Sequence, residues 1–105
     1  MERARFRRLV QDALRSLPRE LSDKLENVEV VIRREPSASD LREAGLESGE
    51  QLFGLYVGTP RTERGDYQLV LPDRIVIYQA SLERAVHPRD IPREVATTVV
   101  HELGH

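Results

Sequence analysis

Two of the three histidines in the chain stand four residues apart, with a glutamate directly after the first, in the string His101-Glu102-Leu103-Gly104-His105. Side chains four apart on a helix project from the same side one turn apart, so both imidazoles can ligate one metal ion. The chain contains no cysteine, and any metal must therefore be held by histidine or carboxylate. The spacing predicts that His101 and His105 bind zinc.

Glu102 adds a group that a purely structural zinc site does not need. On a helix it is turned about 100° from His101, so its carboxylate can reach a metal-bound water without displacing a ligand. The small residues Thr97, Thr98 and Gly104 leave the surface around the motif open. We therefore expect Glu102 to act as the general base of a hydrolytic reaction.

The helix that must position these groups is predicted to begin near Ile91. Pro92 suits a first helical turn, where its missing N–H leaves no partner unsatisfied, and Asp90 and Glu94 place negative charge at the positive end of the helix. At 100° per residue the sequence then divides into two faces. The apolar face holds Val95, Ala96, Val99, Val100 and Leu103, and the polar face holds Glu94, Thr97, Thr98, His101, Glu102 and His105.

The remaining elements follow from periodicity. Apolar residues recur at helical spacing from Phe6 to Leu17, where Pro18 ends the helix, and residues 19–26 and 41–44 suggest short helical turns. Strands are predicted in residues 28–32, in residues 52–57 and in residues 67–79, which Pro72 interrupts. The fold class is therefore α+β: an N-terminal helix, a small, mostly antiparallel sheet of three to four strands, and a C-terminal active-site helix.

Composition limits the chain to one small domain. It has 105 residues, of which 39% are hydrophobic, enough for a single core. We find no signal peptide and no run of about 18 apolar residues, and so expect a cytoplasmic protein without membrane contact. A net charge of −2 argues against nucleic acid as the main partner. The arginine-rich face of the first helix is interpreted as solvated surface, with nucleic-acid contact as the alternative.

The chain resembles the small bacterial metallopeptidase-like proteins of the zincin superfamily, sometimes called minimal zincins, in residues 52–60, 71–78 and 101–105. The resemblance implies a longer motif, His-Glu-x-x-His-x-x-Gly-x-x-Asp, whose final Asp is the third metal ligand. Because the chain stops at His105, we expect that ligand beyond it. Residues 1–105 are then a single zincin-like domain that lacks its C-terminal end and is inactive as it stands.

The function we expect is zinc-dependent hydrolysis of peptide bonds in peptides or proteins, with a metal-bound water activated by Glu102. The substrate is expected to lie extended beside a strand within residues 67–71. A catalytically inactive zincin-like interaction domain is the alternative, and the oligomeric state is left open. His87 and Asp90 are too distant to complete the metal site, since the ten residues of helix from Ile91 to His101 rise about 15 Å, and Glu94 lies about two turns, or 10 Å, from His101. His87 is interpreted as a solvated or capping residue.

Overall fold

A computed structural model describes residues 1–46, 51–59, 62–64, 67–69 and 71–104, the side chains of 62–64 and 67–69 excepted. The predicted α+β class is confirmed: within these ranges five α-helices and a short 3₁₀-helix accompany five strands. In chain order the elements are α1 (Arg3–Arg15), α2 (Arg19–Lys24), β1 (Val28–Arg33), α3 (Ala38–Glu43), β2 (Gly54–Val57), β3 (Thr62–Arg64), β4 (Tyr67–Leu69), β5 (Asp73–Tyr78), α4 (Gln79–Ala85), the 3₁₀-helix Pro88–Asp90 and α5 (Ile91–Leu103).

Three of the strands form a mixed sheet in the order β1-β5-β2. The central strand β5 runs parallel to β1 and antiparallel to β2, so β2 lies at an edge of this sheet. The short strands β3 and β4 pair antiparallel in a separate hairpin. Among the strands that the structure describes, two of the three pairings are antiparallel, and the parallel β1–β5 pair is the feature that the sequence did not indicate.

Both faces of β5 are buried, which is why its sequence reads as an almost continuous apolar run. Ile75 and Ile77 face α1 and α5, in the larger core cluster. Val76 and Tyr78 face the opposite side, where residues of α3 and of the turn after it cover them. The sheet therefore separates two apolar layers, and the edge strand β2 lies between α5 and the end of α3.

The helices follow the predicted periodicity with two differences. Phe6, Val10 and Ala13 of α1 are buried as expected, but Val100 of α5, predicted on the apolar face, is 42% exposed. Val100 lies about 100° around the helix from the buried Val99, at the border of the apolar arc. The other difference is α4, a helix that we did not predict and whose first residue, Gln79, is the last residue of the predicted strand 67–79.

Candidate active site

The helix α5 begins at Ile91, as predicted, and its buried face fixes the direction of its polar face. Ile91, Val95 and Val99 are fully buried against the core. Pro92 stands in the first turn, where its missing N–H costs no hydrogen bond, and Asp90 is the N-cap residue. This packing presents the face that carries His101 and Glu102 to the edge of the sheet at β2.

His101 lies near the end of α5, is exposed, and lines a cleft beside β2. His105 lies outside the described residues, so its role as the second histidine ligand stays a prediction. Among the described residues, no three His, Cys, Asp or Glu side chains lie close enough together to hold a metal ion. The described chain thus presents one predicted zinc ligand with its imidazole in an accessible cleft.

Glu102 lies half-buried in the same cleft and contacts the edge strand. Its Oε1 accepts a hydrogen bond from the backbone N–H of Tyr56 in β2, with an N···O distance of 2.9 Å. The carboxylate and the exposed imidazole of His101 therefore share one cleft, as the motif predicts. The hydrogen bond was not predictable from residue types, because any residue at position 56 except proline offers the same N–H.

The orientation of the Tyr56 N–H follows from the strand register. The N–H of Tyr78 donates to the carbonyl of Phe53 at 3.0 Å, which makes these two residues a hydrogen-bonded pair. Hydrogen-bonded and non-hydrogen-bonded pairs alternate along antiparallel strands. The main-chain N–H and C=O of Leu55 therefore point toward β5, whereas those of Gly54 and Tyr56 point away from β5. The outward edge of β2 therefore faces the motif.

Gly54 allows β2 to approach α5 closely. A Cβ atom at this position would lie 2.7 Å from Cγ2 of Thr98 and 3.1 Å from the carbonyl oxygen of Val76. Thr98 is held in place by its hydroxyl, which donates to the carbonyl of Glu94 at 2.8 Å. A side chain at position 54 would therefore push β2 away from the helix that carries the motif.

Gly54→Ala is accordingly expected to destabilise the fold by about 1–3 kcal/mol, the usual range for overpacking a filled interior. Thr98→Ser removes the clashing methyl group and keeps the hydroxyl, so the double variant should recover much of the loss. Urea unfolding of the single and double variants measures both effects.

Gly58→Ala is the matched control, since a Cβ at Gly58 meets nothing within 4 Å. This variant should unfold close to the wild-type midpoint. Equal stability of Gly54→Ala and Gly58→Ala would contradict the close approach of β2 to α5.

Asp73 holds the other end of β2. Its carboxylate accepts hydrogen bonds from the hydroxyl of Tyr56 and, at 3.0 Å, from the backbone N–H of Thr59. The hydrogen bond to Asp73 raises the pKa of Tyr56 above its ordinary value, with burial adding to the effect. The hydroxyl of Tyr56 and the backbone of Thr59 thus both tie the end of β2 to Asp73.

The cleft has a volume of about 660 Å³, within the range typical of ligand sites. One wall is the polar face of α5, the edge of β2 forms the middle, and the other wall is the end of α3 with the turn that follows it. Its lining residues are Glu43, Ala44, Leu46, Leu52, Phe53, Gly54, Leu55, Tyr56, Thr97, Thr98, His101 and Glu102.

Two further sequence predictions concern residues that this geometry describes. His87 is the N-cap residue of the 3₁₀-helix, and its Nδ1 accepts the backbone N–H of Arg89 at 3.2 Å, which confirms the capping role. This geometry does not test the expectation that a substrate lies along residues 67–71, but it places a different strand at the motif. The strand beside Glu102 is β2, whereas Tyr67–Leu69 pairs with Thr62–Arg64 in the separate hairpin.

An α+β domain in which His101 and Glu102 of a His-Glu-x-x-His string line a cleft at an edge strand has the arrangement expected of a metal-dependent hydrolase. The model of the zincin-like metallopeptidase family matches residues 25–105, which is most of the chain, and the chain belongs to this family. It matches no curated protein by sequence. In the part of the chain that the structure describes, every helix is too short or too polar to cross a membrane.

Proposed function

We propose that this protein is a zinc-dependent metallopeptidase that hydrolyses peptide bonds. The observation that carries the proposal is the position of Glu102, whose carboxylate lies at the outward edge of β2 within hydrogen-bond distance of the Tyr56 N–H. A general base at a strand edge lies beside the place where an extended peptide would pair. His101 lines the same cleft.

The donor set suits zinc. His101 and His105 offer two imidazoles at helical spacing, and the family motif adds an Asp that we place after His105. His101 is exposed and lines the cleft together with the small side chains of Thr97 and Thr98. Bound zinc would polarise the scissile carbonyl and lower the pKa of the attacking water.

The substrate is proposed to pair with β2. The main-chain groups of Gly54 and Tyr56 point outward, so an extended peptide can add to this edge through main-chain hydrogen bonds. A substrate carbonyl that accepts the Tyr56 N–H takes the place of Glu102 on that donor. With the Tyr56 N–H bound to the substrate, the carboxylate of Glu102 accepts a proton from the attacking water and passes it to the leaving amine.

Zinc analysis combined with a peptidase assay on the full-length protein tests this function. We expect about one zinc ion per chain and cleavage of a mixed peptide library, with cleavage lost after chelation and restored by zinc. Absence of both zinc and cleavage would contradict the proposal. Stoichiometric zinc without cleavage of any library member would instead favour an inactive interaction domain.

A further inference from the structure

The cleft has a second wall that the proposed chemistry does not use. It lies across the edge of β2 from α5 and consists of Ala44, Leu46 and Leu52, with Glu43 at the exposed rim. Ala44 and Leu46 pack against the buried cluster around Leu52 and Leu55. This wall is apolar where the α5 wall is polar.

Strand geometry decides which substrate side chains meet each wall. Successive residues of a strand face opposite sides of the sheet, and in β2 the Gly54 position faces Thr98 of α5, while Leu55 packs in the cluster under α3. A peptide added to β2 continues the same pleat. Its side chains therefore alternate between the polar wall of α5 and the apolar wall.

The turn that carries Leu46 is fixed by its own backbone hydrogen bonds. Gly45 has a positive φ of 76°, which a glycine adopts without strain, and its N–H donates to the carbonyl of Arg42 at 3.0 Å. The N–H of Leu46 donates back to the carbonyl of Leu41 at 2.8 Å, which completes a Schellman end to α3. The apolar wall is thus preformed and does not depend on a ligand for its shape.

We propose that this apolar wall is a specificity subsite, which accepts an apolar side chain of the peptide and in which Leu46 determines the size accepted. The inference rests on the proposed function for its substrate. An acidic side chain is disfavoured there, because it would lose its hydration against Leu46 and Leu52 and approach the carboxylate of Glu43. Peptides cleaved by this protein therefore carry a large aliphatic or aromatic residue at one fixed position.

The test uses the full-length, zinc-loaded protein and a peptide series in which each position is varied in turn. At one position, kcat/KM should be about tenfold or more higher for Leu, Met or Phe than for Glu. Leu46→Ala makes the subsite deeper, so at that position the ratio of kcat/KM for Phe or Trp to kcat/KM for Leu should rise by about tenfold. Ala44→Leu should shift it toward smaller side chains, and so tests the subsite independently of the folding of Leu46→Ala.

Leu71→Ala is the matched control, because Leu71 is 55% exposed. This variant should leave the side-chain preference in kcat/KM unchanged at every peptide position. A preference that neither Leu46→Ala nor Ala44→Leu alters would overturn the subsite.

Peptide binding to Glu102→Gln, measured by fluorescence polarisation, separates this inference from the proposed function. If the variant binds apolar peptides more tightly than acidic ones while the wild type cleaves neither, the subsite is supported and the proposed peptidase activity is contradicted. Equal affinity for apolar and acidic peptides, or no binding at all, would overturn the subsite whether or not cleavage occurs.

Discussion

Glu102→Gln is expected to lower the kcat of the full-length protein by about 10²–10⁴-fold, the usual contribution of a general base. The amide keeps the shape of the carboxylate, and its oxygen can still accept the N–H of Tyr56 at the edge of β2. It cannot accept a proton from the attacking water. Zinc content and the free energy of unfolding should therefore stay close to the wild-type values while hydrolysis is lost.

Glu94→Gln is the matched control for this variant. Glu94 lies on the same helix in its first turn, and its backbone carbonyl, rather than its carboxylate, accepts the hydroxyl of Thr98. This control should hydrolyse the peptide series at the wild-type rate. Hydrolysis at the wild-type rate by Glu102→Gln would show that Glu102 is not the base, and loss of zinc from it would place Glu102 among the ligands.

The position and orientation of the motif helix were predictable from the sequence as far as local rules reach. The start of α5 was predictable from Pro92 and Asp90, and its two faces from the helical period, because both depend on residues within a few turns of each other. The shared cleft of His101 and Glu102 follows from the same rules, since α5 buries Val95 and Val99 and turns the motif outward.

The partner of Glu102 depends on contacts between distant parts of the chain. Which strand lies beside α5 is decided by the parallel pairing of β1 with β5, which leaves β2 at the edge. Periodicity predicts extended chain in residues 67–71 and in residues 52–57, but not which of the two segments contains the edge strand near the motif. The requirement for Gly54 likewise arises from contacts between distant parts of the chain, the closest of them with Thr98, more than forty residues away.

The helix α4 was missed for a related reason. Gln79 and Ser81 are polar yet almost completely buried, so the sequence shows no apolar face that would indicate a helix. The side-chain N–H groups of Gln79 donate hydrogen bonds to the carbonyl of Met1 and to the carboxylate of Glu83. The side-chain oxygen of Gln79 accepts a hydrogen bond from the guanidinium of Arg3. These distant hydrogen bonds compensate the burial of a polar group, and no local pattern predicts them.

His101→Ala is expected to remove zinc from the full-length protein and abolish its hydrolysis. A catalytic zinc site normally has three protein ligands, and a site reduced to two loses most of its affinity. The fold should persist, because His101 is exposed and its loss leaves no cavity in the core. Metal analysis after dialysis, with circular dichroism of the same samples, measures both properties.

His87→Ala provides the comparison that assigns the effect to the motif. It removes the same side chain from a position where the imidazole caps the 3₁₀-helix through the N–H of Arg89. Loss of that cap should lower stability by about 0.5–2 kcal/mol and leave zinc content unchanged. Loss of zinc from His101→Ala but not from His87→Ala would identify His101 as a ligand. Undiminished stoichiometric zinc in His101→Ala would mean that the metal is held elsewhere and that the motif is not its site.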